Sequence, residues 1–164
     1  MTDWIRVEGT VMQGYGVASG RAADPRYPQG TIQMQKPIFA KQGVNLEDYF
    51  AGTINVSIQP HQYSIKKSKH TLKNVRWTSG ELTEDFSFCD CNLIFSDRPK
   101  LKGLIYYPHP ETKPEHFQSP DVLEIITYYI NGLNYGDRLI LELNSAQIEI
   151  IFSMQIGQQE ADSQ

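Results

Sequence analysis

Thr53 and Asn55 stand two residues apart in the run Ala51-Gly52-Thr53-Ile54-Asn55-Val56-Ser57-Ile58. In a strand, positions two apart face the same side, which sets a hydroxyl beside a carboxamide oxygen. Oxygen donors of this kind suit a hard cation such as Mg²⁺, with phosphate and water completing the shell. Upstream lies the glycine-rich run Gly14-Tyr15-Gly16-Val17-Ala18-Ser19-Gly20, whose backbone N–H groups can cradle phosphates. Arg21 and Arg26 follow it and can neutralise phosphate charge or stand as solvated cations. Glu124 sits in the apolar run Val122-Leu123-Glu124-Ile125-Ile126 and in a strand shares a face with Val122 and Ile126. A carboxylate on an apolar face is costly unless it is paired or protonated, so Glu124 is a candidate general base or hydroxyl anchor. Together these residues outline a nucleotide-phosphate site that lacks a Walker lysine.

Each feature also has an ordinary reading. Thr53 and Asn55 can line the outer face of a strand, the glycine run can be a flexible turn, and Glu124 can point outward from an edge strand. His109, Glu111, Glu115 and His116 have metal-ligating chemistry but no fixed spacing, which reads as a surface loop. Ser19 lacks a histidine and an acid at recognisable spacing. A Rossmann reading fails because Gly14-x-Gly16 leads into no helix and no parallel-sheet pattern. Cys89 and Cys91 share one strand face, where a disulfide fits poorly, and two thiols cannot complete a zinc site. They read as buried, reduced thiols of a cytoplasmic protein.

The 164 residues suit one domain, placed at 1–156, with 157–164 as a flexible polar tail. The net charge of −4 argues against a nucleic-acid surface, and no apolar run is long enough to span a bilayer. The N-terminus lacks the basic-then-apolar pattern of a signal peptide. The expectation is a cytoplasmic protein with small-molecule partners, no nucleic acid and no membrane, its oligomeric state left open.

The elements that must position these residues are mostly strands. Trp4–Met12 reads as a strand in which Gly9 marks a bulge or a close backbone approach, followed by a loop from Gly14 to Gln29. A short strand is predicted at Gly30–Met34, and a turn or short helix anchored by Pro37-Ile38-Phe39 and Leu46–Phe50. Further strands are predicted at Thr53–Gln59, within His61–Trp77, at Phe86–Ser96 and at Leu101–Tyr107, the last two joined by a hairpin turn at Asp97–Lys100. Thr78-Ser79-Gly80 reads as a turn and Pro108–Pro120 as an irregular proline-rich loop. Val122–Thr127 is strand-like, Asn131–Asp137 a turn-rich link, and Arg138–Leu143 with Gln147–Met154 a final hairpin turning at Asn144-Ser145. So many short strands favour a small closed β-barrel with few short helices, because an open sheet of this size would leave exposed edges.

Three segments carry a resemblance to the archaeal CTP-dependent riboflavin kinases, a family of cradle-loop β-barrels. Val7-Glu8-Gly9-Thr10-Val11-Met12-Gln13-Gly14-Tyr15-Gly16 resembles the family's opening strand and nucleotide loop. Gly52-Thr53-Ile54-Asn55-Val56 is similar to its Gly-Thr-Leu-Asn-Val segment, whose threonine and asparagine hold Mg²⁺. Val122-Leu123-Glu124-Ile125-Ile126, with Leu133 and Tyr135-Gly136-Asp137-Arg138-Leu139, resembles its closing block, where a glutamate contacts the flavin side. The resemblance implies a CTP-type nucleoside triphosphate held by Gly14–Gly20, Mg²⁺ on Thr53 and Asn55, riboflavin contacted by Thr112 and Glu124, and FMN as product. The chain departs from the family in a longer loop after Gly16, in Ala51 where the kinases have proline, and in Thr127-Tyr128-Tyr129-Ile130-Asn131-Gly132 where they carry Ala-Pro and Leu-Arg. Two alternatives stay open: a barrel that binds a nucleotide or flavin without chemistry, and an assembly protein whose tyrosine-rich surface serves a partner.

Overall fold

The computed structural model describes residues 3–13, 31–77, 82–112 and 119–154. Its frame is a closed antiparallel barrel of six strands. These are β1 (Trp4–Met12), β2 (Ile54–Ser57), β5 (Glu84–Ile94), β6 (Leu101–Pro108), β7 (Val122–Thr127) and β8 (Arg138–Asn144). Around the wall they run β5-β6-β7-β2-β1-β8, and β8 pairs back onto β5 from Cys91↔Leu143 to Ile94↔Ile140. Closure uses the length of β5: its last four residues meet β8, while its first half pairs β4 (His70–Val75).

Strict alternation along these strands builds two cores. Val7, Val11, Val56, Cys89, Cys91, Leu93, Ile105, Leu123, Ile125 and Leu141 point inward and fill the barrel. Phe86, Phe88, Leu104, Tyr106 and Ile126 point outward into a second core with Ile32 and Phe39. Gly9 stays in register opposite Leu139 with no bulge, and a Cβ there would lie 2.4 Å from Val56 Cγ1. The close-approach reading of this glycine therefore holds.

The second core is covered by α1 (Thr31–Lys41), an element that corrects the strand predicted at Gly30–Met34. Ile32, Gln35 and Phe39 are buried at the i, i+3, i+7 spacing of one helix face. Phe39 packs edge-on to Phe86 and Phe88, ring centroids 5.0 and 5.4 Å apart. Gln35 accepts a buried hydrogen bond of 2.9 Å from the Tyr106 hydroxyl. The helix ends at Gly43 (φ 96°), where Val44 N donates to Phe39 O.

A second correction concerns the C-terminal hairpin. β9 (Ile148–Ile151) follows a turn closed by Gln147 N on Asn144 O, but it pairs with β3 (Gln62–Ile65) rather than with β8. This ribbon contributes Tyr63, Ile148 and Ile150 to the barrel core. The predicted turn at Thr78–Gly80 and the tail at 157–164 lie outside the described residues. No helix among the described residues is long and apolar enough to cross a membrane.

Candidate functional site

The end of β1 brings the three sequence segments together. Met12 is the register partner of Asn55, and Asn55 is the partner of Glu124, so three strands carry one row of residues across the wall. The row lies on the outer face, because the intervening Ile54, Val56, Leu123 and Ile125 face the barrel core. Thr53 precedes β2 and reaches the same spot: its Oγ1 donates to Glu124 Oε2 at 3.2 Å. Its backbone is guided there by Phe50 N, which donates to Thr127 O at the end of β7. From the other side, Val11 N donates to Asp137 O and Gly136 N to Val11 O, which anchors the Gly136-Asp137 turn on β1. Gly136 takes φ 96°, a left-handed conformation that favours glycine, and the Asp137 carboxylate accepts from Asn134 N.

Thr53, Asn55 and Glu124 are all half-buried. Glu124 sits in the middle of the wall, between β2 and β6, rather than on an edge strand. Its neighbours on the outer face, Val122 and Ile126, are buried. Tyr106 belongs to the same side. Its burial, with the Glu124 charge adding, pushes the Tyr106 hydroxyl well above its ordinary value, so it remains a neutral donor to Gln35.

The residue types in this row suit a hard cation: the Thr53 hydroxyl meets the Glu124 carboxylate, and Asn55, the register partner of Glu124, brings a carboxamide to the same face. A hydroxyl that gives its proton to Glu124 can still offer a lone pair to a metal. Among the described residues no cluster of three or more His, Cys, Asp or Glu could hold a metal. A cation here would therefore complete its shell with phosphate and water oxygens.

Thr112 is engaged elsewhere. It closes a 3₁₀ turn at Pro110–Thr112, its Oγ1 accepting from Asp85 N at 2.9 Å and donating to His109 O at 3.1 Å. Gly14, Tyr15, Gly16, Val17, Ala18, Ser19 and Gly20, with Arg21 and Arg26, lie outside the described residues, as do Glu115 and His116. His109 and Glu111 form a pair at 3.2 Å, and His109 Nε2 meets the Ser87 hydroxyl at 2.7 Å. The sequence reading passes over Ser87. Its signal was a hydroxyl alternating with Phe86 and Phe88, which put it on the opposite face of β5.

Burial also settles the cysteines. Cys89 and Cys91 are free thiols inside the barrel, and burial pushes the Cys89 thiol up to about 12. No protein-family model matches the chain, and no curated protein matches it either.

Proposed function

We propose that the chain is a barrel phosphotransferase of the riboflavin-kinase type. It would transfer the terminal phosphoryl group of a nucleoside triphosphate such as CTP to the ribityl hydroxyl of riboflavin, giving FMN. The carrying observation is the row Met12–Asn55–Glu124 with Thr53 bonded to Glu124. In this reading Thr53 and Asn55 hold Mg²⁺, whose charge offsets that of the phosphates. Glu124 orients the acceptor hydroxyl and takes its proton, and Gly14–Gly20, which follows β1, supplies backbone donors to the nucleotide. Phosphoryl transfer requires positioning and charge stabilisation more than a reactive side chain, which suits a site built of these residue types.

A second reading, a barrel that binds nucleotide or flavin without chemistry, is favoured by two observations. Thr127–Gly132 carries no charged residue where the kinases have arginine, and Thr112 is committed to its own turn. Against it stands Arg98, whose Nη1 donates to Asn131 O at 3.2 Å and so brings a guanidinium to that same stretch from the β5–β6 turn.

The test is incubation with riboflavin, Mg²⁺ and CTP, ATP, GTP or UTP in turn, with FMN read by chromatography. FMN formation that requires Mg²⁺ and is lost in Glu124→Gln supports the kinase. Thermal stabilisation by nucleotide or flavin without turnover supports the binding module. Neither turnover nor stabilisation removes both.

A further inference from the structure

On the opposite face of the sheet from Glu124, a chain of polar side chains runs along the wall of a cavity of about 710 Å³. Thr71 on β4 and Tyr107 on β6 are the register partners of Ser87 on β5. The Ser68 and Thr71 hydroxyls are hydrogen-bonded, Thr71 Oγ1 meets Ser87 Oγ at 3.1 Å, and Ser87 Oγ meets His109 Nε2 at 2.7 Å. His109 Nδ1 ends the chain on Glu111 Oε1 at 3.2 Å. Serine, histidine and acid in this order suggest a nucleophile with its base. Ser87, however, is only 2% exposed and shares its oxygen with Thr71, so it serves as a relay.

The direction of the relay follows from the donor inventory. A carboxylate only accepts, so His109 Nδ1 carries a proton. With a neutral ring, Nε2 accepts from Ser87, Ser87 from Thr71, and Thr71 from Ser68, and every hydroxyl proton points toward the imidazole. Protonation of the ring reverses the order. Nε2–H then donates to Ser87, and the last proton emerges at Ser68, on the cavity wall.

The rest of the cavity supplies charge and flat surfaces. Lys66 N and Lys67 N both donate to Gln147 O, which fixes the two lysines at the rim. Lys66 Nζ is spent on Ser145 O, whereas Lys67 Nζ makes no hydrogen bond or ion pair among the described residues. Tyr63 and Tyr107 stand edge to face at 6.2 Å, and Pro110 and Pro120 complete an apolar side. The groups facing His109 are Glu111 at Nδ1, the Tyr107 ring at 5.5 Å, Asp85, whose carbonyl accepts from His109 N, and the two lysines across the cavity.

We propose that this cavity binds a small flat molecule bearing a phosphate or sulfate ester. Lys67 and the Ser68 hydroxyl take the oxyanion, and the tyrosine and proline side holds the ring. When the imidazole donates through Nε2, the relay delivers a donor to the anion. The site is independent of the kinase reading, since none of its residues belongs to the Thr53–Asn55–Glu124 row.

The test is calorimetric titration of the full chain with phenyl phosphate, phenyl sulfate and phenol. Both esters should saturate a single site, and phenol should bind at least about tenfold more weakly, the worth of one charge-assisted hydrogen bond. Lys67→Ala should weaken both esters about tenfold. Glu124→Gln should bind the esters as the parent chain does. Absence of saturable ester binding, or parental affinity in Lys67→Ala, overturns the proposal. Lys67 is exposed at the rim, so its replacement by alanine is expected to leave the fold intact.

Discussion

Asn55 and Glu124 stand directly opposite each other on β2 and β7, and the Thr53 hydroxyl closes the group by donating to the Glu124 carboxylate at 3.2 Å. Residues 71 positions apart along the chain thus meet on one outer face of the barrel. Direct pairing of β2 with β7 makes the meeting possible. β2 lies between β1 and β7, so the row runs from Met12 at the β1 end across Asn55 to Glu124.

The wall depends on glycines at two close approaches. A Cβ on Gly103 would lie 2.9 Å from Ile126 O and 3.0 Å from Leu93 Cδ1, and backbone cannot turn aside as a side chain can. Gly103→Ala is expected to cost about 1–3 kcal/mol, lowering Tm by about 2–4 °C per kcal/mol, as read by thermal denaturation.

The helix is held by one side chain above the others. Phe39 is fully buried between Phe86 and Phe88, and its loss leaves a cavity beneath α1. Phe39→Ala is expected to cost about 3–5 kcal/mol and to speed hydrogen exchange in Thr31–Lys41 ahead of the barrel amides.

Glu142 on the outside of β8 gathers Arg6 at 3.0 Å, Lys100 at 3.2 Å and Asn92 at 3.3 Å. Burial lifts its carboxyl, but the hydrogen bonds from Lys100, Arg6 and Asn92 outweigh that and hold it below the usual carboxylate value. Its contribution to stability is therefore present above the unfolded-state pKa and lost as pH falls through the lower folded value. Tm measured from neutral to acid pH should fall less in Glu142→Gln than in the parent chain, from a lower starting value.

The two thiols should be silent in the native state. With Cys89 pushed up to about 12, only about one thiol in ten thousand is ionised at pH 8. Native protein should not react with a disulfide reagent over an hour, and both cysteines should react at once in denaturant.

What the sequence made legible was what alternates. Trp4–Met12 and Val122–Thr127 are strands with the predicted limits, because a residue pattern of period two survives on a wall with one core-facing side. That Asn55 and Glu124 serve one site was expected from their chemistry and a resemblance, whereas their pairing across β2 and β7 had no signal in the spacing. The helix was hidden because its buried stripe includes Gln35, a polar residue made acceptable by Tyr106, and because Pro37 lies inside it. The partner of β9 was hidden because a tight turn after β8 suggests a hairpin, whereas pairing with β3 is set by tertiary packing alone.

Under the proposed function, Thr53, Asn55 and Glu124 form one metal-dependent nucleotide site. Its most direct measurement is calorimetric titration of CTP into the parent chain and into the Thr53→Ala, Asn55→Ala double variant, each with Mg²⁺ and with a chelator. Tight binding is expected only of the parent chain with Mg²⁺, with a loss of at least about tenfold in the variant, which should match the chelated parent. Equal affinity of parent and variant in Mg²⁺ would contradict it.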